Sequence, residues 1–344
     1  MNILVLYTKL TDYWMACMQH DVATKNNNYL VFRKAPSPEA PFKIHSENKI
    51  TIKDADGLSS SNLQQRAEEF KPHIIYISGW TDKRYLKIAK HYKKQGIPVI
   101  TGMDNQWLGT PKQHLASLLS PFYVKPHFNY IWVAGIPQYY FAKKLGFKTE
   151  NILTGLYCAN QNLFKNIAQT HKTNQFLFIG RLVEHKGLKI LFKVLEQLIA
   201  ENKLNFKVHI IGNGPLGPLI PVHANIKHTP FVNPNDLPQL MANAGYMILP
   251  SLYEAWGVVI HEAALAGLPI ITTKETGAAS AFVINNYNGC TYDAQDSQAL
   301  KELLLKYSNL PEEDYLLLSK GSKALANKIN LEEWSAKLNA VLHA

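Results

Sequence analysis

Two acidic residues stand in an apolar segment of the second half of the chain. In SLYEAWGVVIHEAALAG, residues 251–267, the only acids are Glu254 and Glu262. A carboxylate among apolar side chains is costly to bury unless a hydrogen bond or an opposite charge compensates it. In one continuous helix, eight residues turn through about 80° beyond full turns, so the two acids would point apart. We therefore predict that Gly257 bends the chain before a helix over residues 258–266.

This bend predicts a site for an anion with carboxylates beside it. The N–H groups at the start of a helix favour a negatively charged group, typically a phosphate. Glu254 would lie just before the helix and Glu262 inside it, where both could accept hydrogen bonds from hydroxyl groups. The alternative is a helix that carries two exposed acids.

Cations and glycines follow two other strand-like segments. Arg181 comes directly after QFLFIG (175–180), and Lys186 lies one loop later. Ligands of α/β domains bind at the carboxyl ends of parallel strands, so a planar guanidinium and a compact ammonium there suit a diphosphate. Gly212, at the end of FKVHIIG (206–212), would let a ligand approach the backbone. Both cations could equally be ordinary surface residues, and glycine turns after strands are common.

Composition narrows the class of protein. The 344 residues suit two domains, and 47% hydrophobic with 18% charged residues describe a folded chain with a large core. Three widely spaced cysteines argue against a disulfide framework or a zinc site and favour a reducing compartment. With no basic leader and no apolar run of about 20 residues, we expect a cytoplasmic protein that is neither exported nor membrane-spanning.

The positive charge is concentrated in the first half. Residues 1–150 hold 20 Lys and Arg against 11 Asp and Glu, a net charge of +9 of the total +10. Such a half can attract an anionic membrane, a phosphate-bearing substrate or nucleic acid. The densest run, residues 81–96, reads as a helix with an apolar stripe and a lysine face, either simply solvated or docked on a membrane. No nucleic-acid motif accompanies the charge, so we expect no nucleic-acid partner.

Strand-like and helical segments alternate in both halves. This order predicts an α/β protein with two Rossmann-like, doubly wound parallel-sheet domains that face a cleft. The segment 147–164 reads as a strand followed by an irregular connection, and we place the domain junction there. The segment SSSNLQQRAEEF (59–70) reads as a helix capped by a serine.

The motifs together resemble a known family. FIGRLVEHKG, IIGNGPL and LPSLYEAWGVVIHEAALAGLPII are similar, in order and spacing, to the donor half of retaining glycosyltransferases of family 4, whose motif is a Glu, seven residues and a second Glu. The resemblance covers about residues 175–295. It implies the GT-B fold, with an acceptor-side domain over residues 1–152, a nucleotide-sugar domain over 153–329, and a C-terminal helix, 330–344, that crosses back to the first domain.

The resemblance also implies the reaction and the roles of residues. The enzyme would transfer a hexose-type sugar from a nucleoside-diphosphate sugar to a glycan or glycolipid, without a metal or other cofactor. Arg181 and Lys186 would hold the diphosphate, Glu254 the transferred sugar and Glu262 the ribose. The remaining donor-site residues implied by the family are Gly180, Gly212, Phe231, Tyr253, Trp256, Gly257 and Val258. Phe231 could instead be a core residue.

The first half departs from the family pattern. The loop after the first strand, YTKLTDYW, has no glycine, and Met103 occupies the place of a frequent histidine. Asp104 beside it could take over a catalytic polar contact, or it could cap a turn or helix. Trp80 and Trp107 could line the acceptor side by stacking on sugars, or they could pack between helix and sheet.

Other functions are compatible with parts of the pattern. A sugar-nucleotide epimerase has a similar fold and needs no acceptor. A basic protein that binds nucleic acid or a membrane would explain the charge alone. The acids of DADG (54–57) read as a turn rather than a metal-binding pair, so no metal site is expected.

Overall fold

The computed structural model describes residues 1–35 and 44–342, which form two compact units. The first unit contains Met1–Asn160 and the segment from Ile329 onward, and the second contains Gln161–Lys328. The first unit extends past residue 152 because Leu156 and Cys158 are fully buried in its core.

The first unit is built on a parallel sheet of seven strands in the order β3-β2-β1-β4-β5-β6-β7. The strands are β1 (Asn2–Tyr7), β2 (Asn28–Arg33), β3 (Ile50–Asp54), β4 (Ile74–Ile77), β5 (Val99–Met103), β6 (Tyr130–Val133) and β7 (Ile152–Thr154). The connecting helices are α1 (Asp12–Lys25), α2 (Ser60–Phe70), α3 (Lys83–Lys94), α4 (Pro111–Tyr123) and α5 (Ile136–Lys144).

Both faces of this sheet are covered. Along β1, Leu4 and Leu6 belong to one apolar cluster and Ile3 and Val5 to another, as the two-residue period of a strand requires. Buried strands of this kind read as continuous apolar runs, and this is the pattern that predicted the fold.

The second unit has a parallel sheet of six strands in the order β10-β9-β8-β11-β12-β13. Its strands are β8 (Gln175–Ile179), β9 (Lys207–Ile211), β10 (Ile226–Thr229), β11 (Tyr246–Leu249), β12 (Ile270–Thr273) and β13 (Gly289–Tyr292). Its helices are α6 (Gln161–Phe164), α7 (Leu188–Ala200), α8 (Leu237–Ala242), α9 (Val258–Leu265), α10 (Ala279–Phe282), α11 (Ser297–Ser308) and α12 (Glu312–Ala326).

The last helix, α13 (Leu331–Ala340), packs in the first unit against α1. Asp21 of α1 is completely buried, and its carboxylate accepts hydrogen bonds from Ser335 (2.5 Å) and Asn339 (2.8 Å) of α13. Tyr29 and Asn27 donate to the other carboxylate oxygen. Since a buried carboxylate is stable only when its oxygens are hydrogen-bonded, this network fixes the C-terminal helix on the first unit.

Local predictions agree with the structure where the sequence carries a clear start or stop signal. Ser59 caps α2 by accepting a hydrogen bond from the N–H of Asn62, and α3 buries its apolar stripe. The edge strands β3 and β10 were not predicted, because each has only four or five residues, nearly all of them exposed or half-buried, and so lacks a continuous apolar run. Within the described ranges, no helix combines enough length and apolar character to cross a membrane.

Candidate active site

Two loops at the carboxyl edge of the second sheet are held against each other. The loop after β8 contains a 3₁₀ turn, Glu184–Lys186, and the loop after β11 begins at Pro250. The N–H of Leu252 donates to the carbonyl of His185 at 2.8 Å. Gly187 approaches Pro250 so closely that a Cβ there would lie 1.8 Å from the Pro250 carbonyl oxygen. The backbone of one loop therefore sets the position of the other.

This contact brings Lys186 and Glu254 together. The Lys186 ammonium donates to Glu254 Oε2, and only 12% and 17% of the two side chains are exposed. Ser251 Oγ lies 3.5 Å from the same carboxylate oxygen. The pair supplies the compensating charge that an acid in this apolar segment requires. It joins residues 68 positions apart in the chain.

Two further basic side chains surround the pair. Arg181 follows β8 and is exposed. Although His185 is exposed, partial desolvation of its ring and then the Lys186 charge lower its pKa, while Glu254 opposes this shift and Arg181 adds to it. The lowered pKa favours the neutral form of His185, whereas Arg181 and Lys186 carry permanent positive charges. His185 was not singled out in the sequence, where nothing separates it from a surface histidine.

The glycines of the neighbouring loops allow close backbone contacts. Gly180 donates its N–H to the Ile211 carbonyl, and a Cβ on Gly212 would lie 1.9 Å from the Gly180 carbonyl oxygen. Gly212 has φ +137°, in the region that favours glycine. His228 Nε2 lies 2.9 Å from the Gly212 carbonyl oxygen. These glycines hold the tips of β8 and β9 together.

The chain bends at Gly257, as the spacing of the two acids predicts. Gly257 has φ +94° and immediately precedes α9. The loop before it is bound to the loop after β12: Glu254 N–H donates to the Glu275 carbonyl, and Ala278 N–H donates to the Trp256 carbonyl. Trp256 itself is 2% exposed, so its ring belongs to the core. Val258 starts the helix, where first-turn N–H groups have no partner within the helix.

The remaining donor-site candidates lie in the same unit. Glu262 is half-buried in the second turn of α9, and Tyr253 is half-buried with its N–H 3.4 Å from the His185 carbonyl oxygen. Phe231 follows β10 and is 38% exposed, which excludes the alternative of a core phenylalanine.

His261 is the polar side chain that α9 turns into the core. Its Nε2–H donates to the Ala326 carbonyl at 2.9 Å, and its ring stacks on Phe282. Complete burial lowers the pKa of His261 to about 4, opposed by the hydrogen bond to Ala326. The folded protein therefore holds a neutral imidazole under α9.

This histidine predicts acid sensitivity. An unfolded histidine takes up a proton below about pH 6.5, whereas the folded one resists until about pH 4, so stability falls as the pH is lowered through that window. Between pH 7 and pH 5 we expect His261 to remove about 2 kcal/mol of the free energy of unfolding. Urea unfolding of wild type and His261→Gln checks this: the variant should lose less stability on acidification. Equal losses, or the same effect from exposed His171→Gln, would contradict it.

The first unit places Asp104 among tyrosines. Asp104 follows β5; Tyr157 OH donates to Asp104 Oδ2 at 3.2 Å, and Gln138 donates to its carbonyl oxygen at 3.0 Å. Burial, and then the neighbouring Tyr13 and Asp104, raise the pKa of Tyr157 well above its ordinary value, so the hydroxyl stays protonated. The sequence analysis missed Tyr157, which no periodic pattern marks.

The two tryptophans proposed for the acceptor side are partly buried. Trp80 and Trp107 both pack against the apolar cluster of the first unit. The Trp107 ring lies 5.4 Å from Phe141 and 4.9 Å from His114, between centroids, and the Lys144 ammonium lies over it. Both tryptophans thus pack against the core of their unit, and their contact with an acceptor stays a prediction.

Across residues 1–35 and 44–342, the structure places no group of three or more His, Cys, Asp or Glu side chains where they could hold a metal ion. The charge paired with the Glu254 carboxylate is the Lys186 ammonium.

The comparisons with known proteins match the second unit to a family of glycosyl transferases. Residues 160–323 match the family described as "Glycosyl transferases group 1". This range contains both loops of the candidate site and nearly all of the second unit.

Two curated relatives are named glycosyltransferases. An uncharacterized glycosyltransferase of Methanocaldococcus jannaschii is 28% identical over 123 residues, which are 34% of this chain and 31% of the relative. The lipopolysaccharide glucosyltransferase WaaG of Escherichia coli is 28% identical over 139 residues, 39% of this chain and 37% of WaaG. These matches thus span less than half of the relatives' length.

A solved structure extends the similarity to both units. HepE of Anabaena, in complex with UDP-glucose, superposes with a TM-score of 0.72 over 100% of this chain and 99% of HepE, at 18% identity. Such low identity shows the fold alone. The second unit therefore matches the group 1 glycosyl transferases in sequence, and the two parallel-sheet units have the GT-B fold.

Proposed function

We propose that the protein is a retaining glycosyltransferase of family 4 that transfers a hexose-type sugar from a nucleoside-diphosphate sugar to a glycan or glycolipid acceptor. The observation that carries the proposal is the half-buried pair of Lys186 and Glu254, beside Arg181, at the carboxyl edge of the second sheet. A cation that will neutralise a phosphate lies there within hydrogen-bond distance of a carboxylate that can bind sugar hydroxyls.

The chemistry follows from where charge develops. When the bond between the sugar and the diphosphate breaks, the leaving diphosphate gains negative charge, and Arg181 and Lys186 stabilise it from fixed positions. The acceptor hydroxyl attacks the same carbon from the leaving-group side. Its proton passes to a phosphate oxygen of the donor, so that no protein nucleophile is needed.

The carboxylates bind hydroxyl groups in this proposal. Glu262, half-buried on α9, accepts hydrogen bonds from the ribose of the donor. Glu254 orients the transferred sugar and holds Lys186 through the ion pair. Because two protein cations neutralise the diphosphate, we propose a reaction that needs neither a metal nor another cofactor. The UDP-glucose bound to HepE supports a nucleotide-sugar donor for this fold.

The acceptor is proposed to be membrane-linked. Residues 1–150 carry a net charge of +9, and WaaG acts on lipopolysaccharide according to its name. A basic acceptor-side unit would be attracted to an anionic bilayer. We therefore propose a cytoplasmic enzyme, peripheral at the inner membrane face, that builds a cell-surface polysaccharide.

Thermal unfolding with UDP, GDP or ADP, in the presence of a chelator, tests the donor site. A nucleotide that binds only the folded protein adds about 2.7 kcal/mol of stability at one hundred times its dissociation constant. We expect one of the three to raise the unfolding temperature, and the corresponding nucleoside, which lacks the diphosphate, to do so much less. If none does so, even with magnesium or manganese, the proposed donor site is wrong.

A further inference from the structure

Helix α4 of the first unit exposes its apolar face. Leu115, Leu118, Leu119 and Phe122 follow the i, i+3, i+4, i+7 spacing of one helical stripe, and 56%, 72%, 46% and 79% of these residues are exposed. An amphipathic helix of a globular unit normally turns such a stripe toward the core. Contiguous exposed apolar surface of this kind marks an interaction site.

The inner face of the same helix is polar or small. Gln113, Ser117 and Ser120 point inward, and only Ser120 of the helix is fully buried. Ser120 Oγ donates to the Leu145 carbonyl at 2.7 Å, and Gln113 donates to the Gln106 carbonyl at 2.7 Å. The helix is thus attached to its unit through hydrogen bonds and leaves its apolar stripe to something outside.

The surroundings of the stripe are mainly basic. Between Asp104 and Glu150 the chain has five lysines and no acidic residue. Two of these lysines, Lys112 and Lys125, flank the stripe at the two ends of α4. Beside its C-terminal end, a pocket of about 300 Å³ is lined by Lys93, Lys125 and Lys148 together with one acid, Glu150.

The basic helix α3 adjoins this region. Lys93 of α3 donates to the carbonyl oxygens of Lys125 and Phe128 just after α4. Burial first, and then the charges of Lys90 and Lys93, lower the pKa of His127, while its hydrogen bond to the Tyr123 carbonyl opposes the shift. The apolar stripe of α3 itself is buried, so α3 can attract anions but offers no apolar side chains for insertion.

We propose that the α4 stripe inserts into the interfacial layer of an anionic membrane, with the lysines around it contacting lipid phosphates. This inference rests on the proposed function, which places the acceptor at a membrane, and it names the docking surface. Interfacial helices bind in this way, with apolar residues among the acyl chains and basic residues at the headgroups. A second copy of the chain fits less well, because a symmetric contact would bring the same lysines against each other.

Vesicle sedimentation of the full chain tests the proposal. We expect wild type to bind phosphatidylcholine vesicles that contain about one third phosphatidylglycerol at low salt, and to bind pure phosphatidylcholine at least about tenfold more weakly. Leu118→Ser with Phe122→Ser removes apolar contacts without changing charge and should weaken binding to the anionic vesicles at least about tenfold. Val222→Ser with Leu317→Ser, two exposed apolar residues of the second unit, is the matched control and should bind as wild type does.

Three results would overturn the proposal. They are no binding of wild type to anionic vesicles, equal binding of wild type and the α4 variant, or equal loss in the control variant. A wild-type dimer that becomes a monomer in the α4 variant, without vesicle binding, would assign the stripe to a second copy. Nucleotide-induced stabilisation, measured on the same preparations, shows separately whether the donor site is intact, so the two proposals can fail independently.

Discussion

Lys186→Met is expected to lower the rate of sugar transfer by about 10²- to 10³-fold, the effect of removing one pre-positioned group that stabilises developing negative charge. Methionine keeps most of the side-chain length and removes the ammonium. It also leaves the half-buried Glu254 carboxylate without this cation. The measurement is the rate of transfer, or of donor hydrolysis, with the sugar nucleotide whose diphosphate stabilises the protein.

The chain offers a matched control three residues away. Lys189 forms an ion pair with Glu184 on the same loop and helix, but 56% and 67% of the two side chains are exposed. Exposed ion pairs contribute little, so Lys189→Met should change the rate less than about twofold. If both variants lost activity equally, or if Lys186→Met were as active as wild type, the assignment of Lys186 to the diphosphate would be wrong.

The sequence predicts most of what is local in this site. The bend at Gly257, the start of α9 and the position of Arg181 after a strand all follow from residues close together in the chain. These features can be predicted from the sequence because the conformational freedom of glycine, an apolar run and a helix start signal each depend on only a few neighbouring residues.

The partners of these residues could not be predicted in the same way. The Lys186–Glu254 pair and the Tyr157–Asp104 hydrogen bond join positions 68 and 53 residues apart, and only the folding of the chain brings them together. The spacing of apolar residues shows that a helix has an apolar face, but not whether that face is turned toward the core or toward solvent. The stripe of α4 would therefore be assigned to the core from its spacing, whereas the structure leaves it exposed.

Gly187→Ala is expected to cost at least about 3 kcal/mol of the free energy of unfolding, more than strain in a left-handed residue alone. Gly187 has φ +69°, and the added Cβ would lie 1.8 Å from the Pro250 carbonyl oxygen, a backbone atom. The loops after β8 and β11 must then separate. Since Lys186 precedes Gly187, its ammonium would move away from Glu254, and stabilisation by the nucleoside diphosphate should fall as well.

Gly57→Ala separates the two causes of this loss. Gly57 has φ +76°, close to that of Gly187, but a Cβ there would meet no atom within 4 Å. This control isolates the cost of the backbone conformation, which we expect to be about 1 kcal/mol, and it should leave nucleotide binding unchanged. Urea unfolding and nucleotide-induced thermal shifts of both variants give the comparison. If the contact between the two loops positions the Lys186–Glu254 pair, Gly187→Ala should lose more unfolding free energy than Gly57→Ala and should show a smaller nucleotide-induced thermal shift. Equal losses of unfolding free energy in the two variants would mean that this contact does not position the pair.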